Sequence, residues 1–215
     1  MPGEPLPPRA EPRPFRPAGP VVIGLLGGVA SGKSTVAGLF AAHGLLHVDA
    51  DALAREVAAE PAVLAAVAAA FGPEVTAGGR LDRAALAQRV FADPAARRRL
   101  EAILHPPIRT RILERLAAAR AAGTSVLLDV PLLLENGLIE HCDVVVFVEV
   151  DAAERRRRAA ARGWAADELD RREAAQASLA EKRARADHVI DNGGDLAATA
   201  HQVAAVLYAV GAGIR

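Results

Sequence analysis

The chain has 215 residues with 26 basic and 26 acidic side chains, so its formal net charge is zero. A balanced charge excludes bulk attraction to nucleic acid or to an anionic membrane, and we expect neither as a partner. Cys142 is the only cysteine in the sequence, which excludes an internal disulfide and favours a reducing, cytoplasmic location. No apolar run approaches the roughly 18–20 residues that a membrane-spanning helix needs.

The first part of the chain, residues 1–20, is rich in proline and poor in apolar side chains. This composition predicts a disordered or polyproline-like tail, with a docking arm for a partner as the alternative. Residues 21–212 are predicted to form one folded domain, because strand-like and helix-like patterns continue to that point.

Short apolar runs after the tail are typical of buried strands in a parallel sheet. They cover residues 21–26, 45–48, 126–130, 144–148 and 188–190. Helical patterns lie between them at 33–43, at 49–119, in two segments between 152 and 182, and from 196. The long stretch at 49–119 is interrupted at Gly72-Pro73, Gly78-Gly79 and His105-Pro106-Pro107. Strands that alternate with helices predict an α/β fold, in which ligands bind at the carboxyl ends of the strands.

A glycine-rich loop follows the first predicted strand and opens the first predicted helix. It reads Gly27-Gly28-Val29-Ala30-Ser31-Gly32-Lys33-Ser34. Glycines in such a P-loop let backbone N–H groups approach phosphate oxygens, and the helix start adds partial positive charge. We predict that Gly28 through Thr35 bind ATP, with Lys33 reaching the β- and γ-phosphates and the Ser34 hydroxyl binding Mg²⁺. The alternative is a flexible turn with a solvated lysine.

This loop occurs in several classes of nucleotide-binding protein. The Asn-Lys-x-Asp motif that reads guanine in GTPases is absent from the sequence, and the chain is short for a motor. A small kinase that acts on a small molecule fits best. A nucleotide-binding regulator without an acceptor substrate is the alternative from another class.

Acidic residues follow two of the predicted strands: Asp49 and Asp51 follow the second, and Asp129 ends the third. A carboxylate can align an acceptor hydroxyl with the γ-phosphate and accept its proton, so the first pair predicts an acceptor site beside the loop. Arg55 lies four residues after Asp51, on the same helix face. The alternative is that Asp49 or Asp51 caps the next helix, or that one caps while the other acts on the substrate. Asp129 is a candidate for holding a Mg²⁺-bound water, with a cap or turn as the alternative.

An arginine-rich segment follows the fourth predicted strand. Arg155, Arg158 and Arg162 are three and four residues apart, so they share one helix face and can neutralise charge on a transferring phosphoryl group. Arg162 precedes Gly163-Trp164, which predicts a hinge for a lid that excludes water. The alternative is a solvated basic face, offset by the carboxylates of Glu154, Asp167, Glu168 and Asp170.

Further motifs form an ordered set along the chain. They are Leu25 to Thr35, Val48-Asp49-Ala50-Asp51 with Arg55, Leu104-His105-Pro106, Asp129-Val130-Pro131-Leu132-Leu133-Leu134-Glu135, Arg158-x-x-x-Arg162, Arg172-x-x-x-Gln176, Lys182, and Ala186-Asp187-His188-Val189-Ile190-Asp191-Asn192. This set resembles the dephospho-CoA kinase family over about residues 21–210. Leu26 stands where the family often has threonine, and the proline-rich tail has no counterpart in it.

The resemblance implies a P-loop NTPase fold with a five-stranded parallel sheet flanked by helices. It also implies a helical substrate-binding part over about residues 52–122 and a lid over about residues 152–182. The implied reaction transfers the ATP γ-phosphate to the ribose 3′-hydroxyl of dephospho-CoA, the last step of coenzyme A biosynthesis, with ATP and Mg²⁺ as cofactors. A monomer or weak homo-oligomer is expected.

The resemblance also implies roles for residues at matching positions. Asp51 orients or activates the 3′-hydroxyl, Lys33 holds ATP phosphates, and Arg162 stabilises the transferred charge. Arg158 and Asn192 are expected on the ATP side, and Asp49, Arg55, His105 and Glu135 on the substrate side. The alternatives are another small-molecule P-loop kinase, such as a nucleoside monophosphate kinase, and a non-catalytic ATP-binding regulator.

Overall fold

The computed structural model describes residues 19–91 and 93–211. Residues 1–18 of the predicted tail lie outside the described residues, as does residue 212, the end of the predicted domain. The expected tail therefore stays a prediction.

The described chain contains one five-stranded sheet. Its strands are β1 Val22–Gly27, β2 Leu46–Asp49, β3 Val126–Asp129, β4 Val144–Glu149 and β5 His188–Asp191. Their order across the sheet is β2-β3-β1-β4-β5. β1 runs parallel to β3 and to β4, and β4 runs parallel to β5. The prediction of a five-stranded parallel sheet flanked by helices is confirmed.

The central strands are hydrophobic up to the acidic residues that end β3 and β4, because both faces of the sheet are covered. Every residue of β1 is buried, and so are all but the last residues of β3 and β4. Successive side chains of a strand point to opposite faces, so unbroken burial means covered faces on both sides. The edge strands β2 and β5 are short and partly exposed, which limits unwanted pairing at the edges.

Nine α-helices lie within the described residues. They are α1 Lys33–Ala42, α2 Ala50–Val57, α3 Pro61–Phe71, α4 Arg83–Phe91, α5 Pro94–Ala121, α6 Ala152–Ala161, α7 Glu168–Ala174, α8 Leu179–Ala184 and α9 Leu196–Ala209. Short 3₁₀ helices occupy Pro73–Gly79 and Leu138–His141. None of the helices in the described part of the chain is long and apolar enough to cross a membrane.

The described chain divides into two compact units. One takes the residues up to His47 and from Ala119 onward, and the other is Val48–Ala118. In the first unit, α1 and α9 pack on the sheet through side chains such as Phe40, Val203 and Leu207, which are fully buried. This packing fixes the direction of α1, and therefore of the glycine-rich loop that leads into it.

The second unit is helical and has a core of its own. Val57 of α2, Val67 and Phe71 of α3, and Leu86 of α4 are buried together in that core. Pro61 starts α3, a position where the missing N–H of proline has no partner to lose. The unit is therefore held by apolar side chains that recur at helical spacing.

The expected interruption at His105-Pro106-Pro107 is wrong, because α5 runs from Pro94 to Ala121 with both prolines inside it. A proline inside a helix removes a hydrogen bond to the preceding turn and favours a kink. Leu104 and Ile108, on either side of the prolines, pack against the core of the second unit. Burial of these side chains offsets the cost of the missing hydrogen bonds.

Three helices, rather than the expected two, lie between residues 152 and 184. The predicted break near Gly163-Trp164 is present, and Gly163 there has a φ of 75°. A second break precedes α8, where the Ser178 hydroxyl accepts a hydrogen bond from the Glu181 N–H at 3.1 Å. Serine is a favoured helix cap, and this cap starts a separate helix.

We predict opposite effects of alanine at two glycines of α1 and its end. Gly38 lies inside α1 and Gly44 follows the helix with a φ of 87°; a Cβ at either position would meet nothing within 4 Å. Gly38→Ala should raise the free energy of unfolding by about 0.5–1 kcal/mol through helix propensity. Gly44→Ala should lower it by roughly 1 kcal/mol, because alanine is strained in the left-handed region.

Urea denaturation of both variants beside the parent chain measures the two changes. Each substitution adds the same methyl group in open space, so the pair isolates backbone conformation. If both substitutions changed the free energy of unfolding in the same direction, the assignment of Gly38 to the helix interior and of Gly44 to the left-handed region would be contradicted.

Candidate functional site

The glycine-rich loop connects the end of β1 at Gly27 to the start of α1 at Lys33. Its backbone turns at Ala30 and Gly32, where φ is 61° and 84°. The Ser31 N–H donates a hydrogen bond to the carbonyl of Gly28, three residues earlier, at 3.2 Å. Strand, loop and helix occur in the predicted order, and the loop adopts a compact turn.

Gly28 and Gly32, which lie within the loop, have no room for a side chain. A Cβ at Gly28 would lie 2.9 Å from Leu179 Cδ2 and 3.4 Å from Arg155 Nη1. A Cβ at Gly32 would overlap the side-chain amide of Asn192. The segments that follow β4 and β5 therefore pack directly on the loop, which is why glycine is required at these two positions.

The loop and the start of α1 have the chemistry of a phosphate site. No side chain caps the N-terminus of α1, so the partial positive charge of the helix start can act on an anion. The Ser31 hydroxyl is buried and has no hydrogen-bond partner within the described residues. A buried polar group is normally satisfied, and a phosphate oxygen would satisfy this one. These residues fit a bound nucleotide phosphate.

The Ser31 carbonyl is held by two side chains from distant parts of the chain. The Asn192 amide donates to it at 2.8 Å, and Arg158 Nη1 donates to it at 3.1 Å. Arg158 Nη2 also donates to the Asn192 carbonyl at 2.7 Å. Arg158 and Asn192, both expected on the ATP side, are thus brought to the back of the phosphate loop and fix its backbone.

Glu154 orients the guanidinium of Arg158. Its carboxylate accepts from Arg158 Nε at 2.7 Å and from Arg157 at 2.6 and 2.7 Å. The hydrogen bond from Arg157, followed by the one from Arg158, lowers the pKa of Glu154 to about 2. The carboxylate is therefore ionised near neutral pH, and Arg158 keeps the direction that it needs to reach the loop.

Arg155 is buried instead of facing a ligand, with only 7% of its surface exposed. It forms an ion pair with Glu173 of α7, and its Nε donates to the Val150 carbonyl at 3.3 Å. Burial lowers the pKa of the Arg155 guanidinium. Because an unpaired buried charge is costly, the pair with Glu173 ties α7 to α6.

Arg162 follows the end of α6 and is exposed. Its guanidinium carbon lies 5.8 Å from the centre of the Trp164 ring, and that of Arg172 lies 4.4 Å from the same ring. Trp164 packs against a small cluster that includes Ala30 of the phosphate loop. The expected shared face of Arg155, Arg158 and Arg162 thus divides into three separate sets of contacts.

Glu135 and the buried Lys182 form a network beside the loop. Lys182 is 2% exposed; its ammonium donates to Gln176 at 2.6 Å and lies 3.5 Å from the Glu135 carboxylate. Glu135 also accepts from the Ala177 N–H at 2.8 Å. A cavity of about 300 Å³ adjoins this network, with Gly28, Val29, Gln176, Ser178 and Lys182 among its lining residues. Glu135, expected on the substrate side, is engaged with the segment between α7 and α8.

Asp129 ends β3 and lies beside His47 of β2. The distance from its Oδ2 to His47 Nε2 is 3.6 Å. Within the described residues, no group of three or more His, Cys, Asp and Glu side chains could hold a metal ion. Mg²⁺ in phosphate sites needs only one or two protein oxygens beside phosphate and water, and the hydroxyl of Ser34 and the carboxylate of Asp129 are oxygens of that kind.

The remaining candidates lie in the second unit. Asp49 is the N-cap of α2: its carboxylate accepts from the N–H groups of Asp51 and Ala52, at 2.8 and 3.2 Å. Of the two aspartates, Asp49 is therefore the one that caps. Asp51, in the first turn of α2, and Arg55, in the last turn, are exposed, as is His105 in α5.

The sequence predicts no role for Glu173 or Lys182, and it predicts Glu154 only as a carboxylate that offsets the arginines, yet each of them fixes a charged partner beside the loop. The partners Arg155 and Glu173 are 18 residues apart, so no helical spacing indicates the pair. Lys182 is one of the residues that carry the family resemblance, and that resemblance is the sequence signal that could have indicated its importance.

Comparisons with known proteins agree with one another. The family model described as dephospho-CoA kinase matches residues 21–198. The chain is 46% identical over 198 residues to the dephospho-CoA kinase of Deinococcus radiodurans, covering 91% of this chain and 95% of the relative. It is 49% identical over 176 residues to that of Thermobifida fusca, covering 80% and 87%. The crystal structure of TT1252 from Thermus thermophilus has a TM-score of 0.75 and 38% identity, covering 89% of this chain and 97% of that one.

Glu154 gives a prediction for the acid side of the stability profile. Its pKa is lowered from the ordinary 4.5 to about 2 in the folded chain, so the folded state binds the proton less well than the unfolded state. The resulting stabilisation is complete above pH 4.5 and is lost as the pH falls towards 2. The stability gap between the parent chain and Glu154→Gln should therefore be constant at neutral pH and shrink in acid.

Thermal unfolding of both proteins from about pH 7 down to about pH 2.5 measures this gap across the window that linkage predicts. A gap that keeps its full size at the acid end would show that the ionised carboxylate is not its source.

Proposed function

This chain belongs to the dephospho-CoA kinase family, and we propose that it transfers the γ-phosphate of ATP to the ribose 3′-hydroxyl of dephospho-CoA. The products are ADP and CoA, and the reaction is the last step of coenzyme A biosynthesis. The observation that carries the proposal is the glycine-rich loop, with an uncapped helix start and an unsatisfied Ser31 hydroxyl. That loop lies in a chain that its family model matches over residues 21–198.

The phosphate loop binds the ATP phosphates from the N-terminal side of α1. Residues Gly28 to Thr35 surround the β-phosphate, with the main-chain N–H groups that are not already bonded to the Gly28 and Gly32 carbonyls as donors. Lys33 places its charge between the β- and γ-phosphates. Arg158 and Asn192 act from behind the loop through the Ser31 carbonyl, and Asn192 also borders the adenine.

Ser34 and Asp129 are the residues that would hold Mg²⁺, Ser34 directly and Asp129 through a bound water. The ion supplies charge neutralisation at the phosphates. Ser34 is an exposed residue in the first turn of α1, and Asp129 is partly exposed at the carboxyl end of β3, so a hydrated ion can approach both residues.

Asp51 orients the acceptor hydroxyl or accepts its proton. Asp49 satisfies the N–H groups at the start of α2, which leaves the capping role filled and the exposed Asp51 carboxylate available for the substrate. Arg55 and His105 are further substrate-side residues of the second unit. Glu135 acts on the substrate side by holding the segment between α7 and α8.

Arg162 stabilises charge on the transferred phosphoryl group from a lid over about residues 152–182. It contacts the Trp164 ring between α6 and α7, and an exposed cation–π contact of this kind contributes only about 0.5–1 kcal/mol. Arg162 can therefore leave the Trp164 ring to contact a phosphate at a small energetic cost.

We place the enzyme in the cytoplasm as a monomer or weak homo-oligomer, in keeping with a single cysteine and zero net charge.

An acceptor panel tests the reaction directly. With ATP and Mg²⁺ present, ADP release should depend on dephospho-CoA and should not rise with AMP or gluconate. Turnover with AMP or gluconate in place of dephospho-CoA would assign the chain to another small-molecule kinase. ATP binding without turnover on any acceptor would favour a regulator.

Asp51→Asn tests the acceptor side. Loss of a positioned base or orienting carboxylate should lower kcat by about 100-fold or more, while ATP affinity stays within about twofold, because the phosphate loop is unchanged. Steady-state kinetics and calorimetric ATP binding measure the two quantities.

Asp82→Asn is the matched control, because Asp82 caps α4 in the same unit through the N–H groups of Ala84 and Ala85. Asparagine caps a helix about as well as aspartate, so this variant should keep the parent kcat. Unchanged turnover of Asp51→Asn would remove Asp51 from the reaction.

A further inference from the structure

Thr199 is a buried polar residue at the start of α9 with 0% of its surface exposed. It lies just beyond the residues 21–198 that the family model matches. Its hydroxyl lies 3.1 Å from the Asn192 side-chain oxygen and 3.1 Å from the Asp195 carbonyl. It therefore contacts the residue that anchors the phosphate loop.

The contacts of Asn192 determine which way its amide group faces. The NH₂ donates to the Ser31 carbonyl at 2.8 Å, and a flipped amide would instead place two oxygens against each other. The side-chain oxygen then faces Thr199, whose one hydroxyl hydrogen is shared between this oxygen and the Asp195 carbonyl, each 3.1 Å away. The Ser31 carbonyl selects the amide orientation, and the Thr199 hydroxyl holds the amide in the position from which Asn192 reaches the loop.

The direction of the Ser31 carbonyl determines the direction of the next N–H. No cis peptide occurs among the described residues, and in a trans peptide the C=O and the N–H point to opposite sides. Holding the Ser31 carbonyl on the Asn192 side therefore points the Gly32 N–H to the other side of the loop. A rotated peptide would turn that N–H away from a bound phosphate.

We propose that Thr199 is a positioning residue for nucleotide binding: through Asn192 it fixes the Ser31–Gly32 peptide so that the Gly32 N–H faces the nucleotide phosphates. This inference rests on the proposed nucleotide site. Thr199 touches no phosphate itself, and its effect passes through one hydrogen bond to the Asn192 amide.

The tight packing of this corner supports the proposal independently. Gly32 is in contact with the Asn192 amide, with no space for a Cβ between them. Arg158 holds the main-chain carbonyl of Asn192 at 2.7 Å, so the backbone of Asn192 is fixed and only the amide can still rotate. The Thr199 hydroxyl restricts this rotation of the Asn192 amide.

The test separates the hydroxyl of Thr199 from its methyl group. Thr199→Val keeps the shape and removes the hydroxyl, and it should raise the ATP dissociation constant about fivefold to tenfold, the effect of one hydrogen bond. Thr199→Ser keeps the hydroxyl and loses the methyl, and its ATP affinity should stay within about twofold of the parent. Calorimetry with ATP, without acceptor, gives both constants.

A purely structural role predicts another pattern. Both variants would then lower the melting temperature, and ATP affinity would follow stability and not the hydroxyl. Equal affinities of Thr199→Val and the parent, or equal losses in Thr199→Val and Thr199→Ser, would overturn the proposal. If Thr199→Val does not fold, Thr199→Ala replaces it with the same expected loss of affinity.

A double-mutant cycle tests the route through Asn192. In an Asn192→Ala background, Thr199→Val should change the ATP dissociation constant by less than about twofold, because the group that it positions is gone. Full additivity of the two losses would contradict the proposed route.

Ser125→Ala serves as the control for a lost hydroxyl contact in the same unit. The Ser125 hydroxyl accepts from the Val21 N–H at 3.2 Å, at the amino ends of β1 and β3. This variant should lose stability and keep its ATP affinity.

The ATP measurements also separate the inference from the proposed function. If the parent chain binds no ATP, both are overturned. If the parent chain binds ATP and Thr199→Val binds it equally well, only the inference is overturned.

Discussion

The phosphate loop depends on the two hydrogen bonds that its Ser31 carbonyl accepts, from the Asn192 amide and from Arg158. Loops of this kind bind phosphate with main-chain N–H groups, and such groups are useful only when the backbone is held in one conformation before the ligand arrives. The loop contains glycines that favour many conformations. Anchoring one carbonyl from outside removes much of that freedom and preorganises the loop for binding.

The sheet brings these donors to the loop from far along the chain. Ser31 is separated from Arg158 by 127 residues and from Asn192 by 161. The loop, α6 and the turn after β5 follow the adjacent parallel strands β1, β4 and β5. Carboxyl ends of neighbouring parallel strands meet at one edge of a sheet, and strand order is therefore what converts distant sequence positions into one site. The hydrophobic core under α1 and α9 keeps that edge in place.

The parts of the structure that follow local rules could be predicted from the sequence. The strands are continuous apolar runs, and the loop has a fixed spacing of glycine, lysine and serine. The path of α5 through Pro106 and Pro107 could not be predicted, because tertiary packing overrides the local preference of proline. The second break before α8 was missed for a related reason, since a single capping serine has weaker sequence signal than a glycine.

The contacts of the candidate site were harder to predict than its members. Arg158 and Asn192 were expected near ATP, but their hold on the loop backbone depends on strand order and on an amide orientation that no spacing encodes. Arg155 has the same helical spacing as Arg158, yet it is buried against Glu173. Burial and partner choice depend on three-dimensional packing, which sequence periodicity does not contain.

The arginine-rich segment shows why formal charge is a poor guide to this site. Glu154 neutralises Arg157 and orients Arg158, and Glu173 neutralises Arg155. Most of the arginines of α6 therefore pair with carboxylates of the chain and do not contact a nucleotide. Attraction for phosphate must then come from main-chain N–H groups, from the start of α1 and from Lys33, over a distance of one loop. Such short-range attraction is sensitive to the direction of single peptide groups. It allows a protein with no net charge to bind phosphate at this loop.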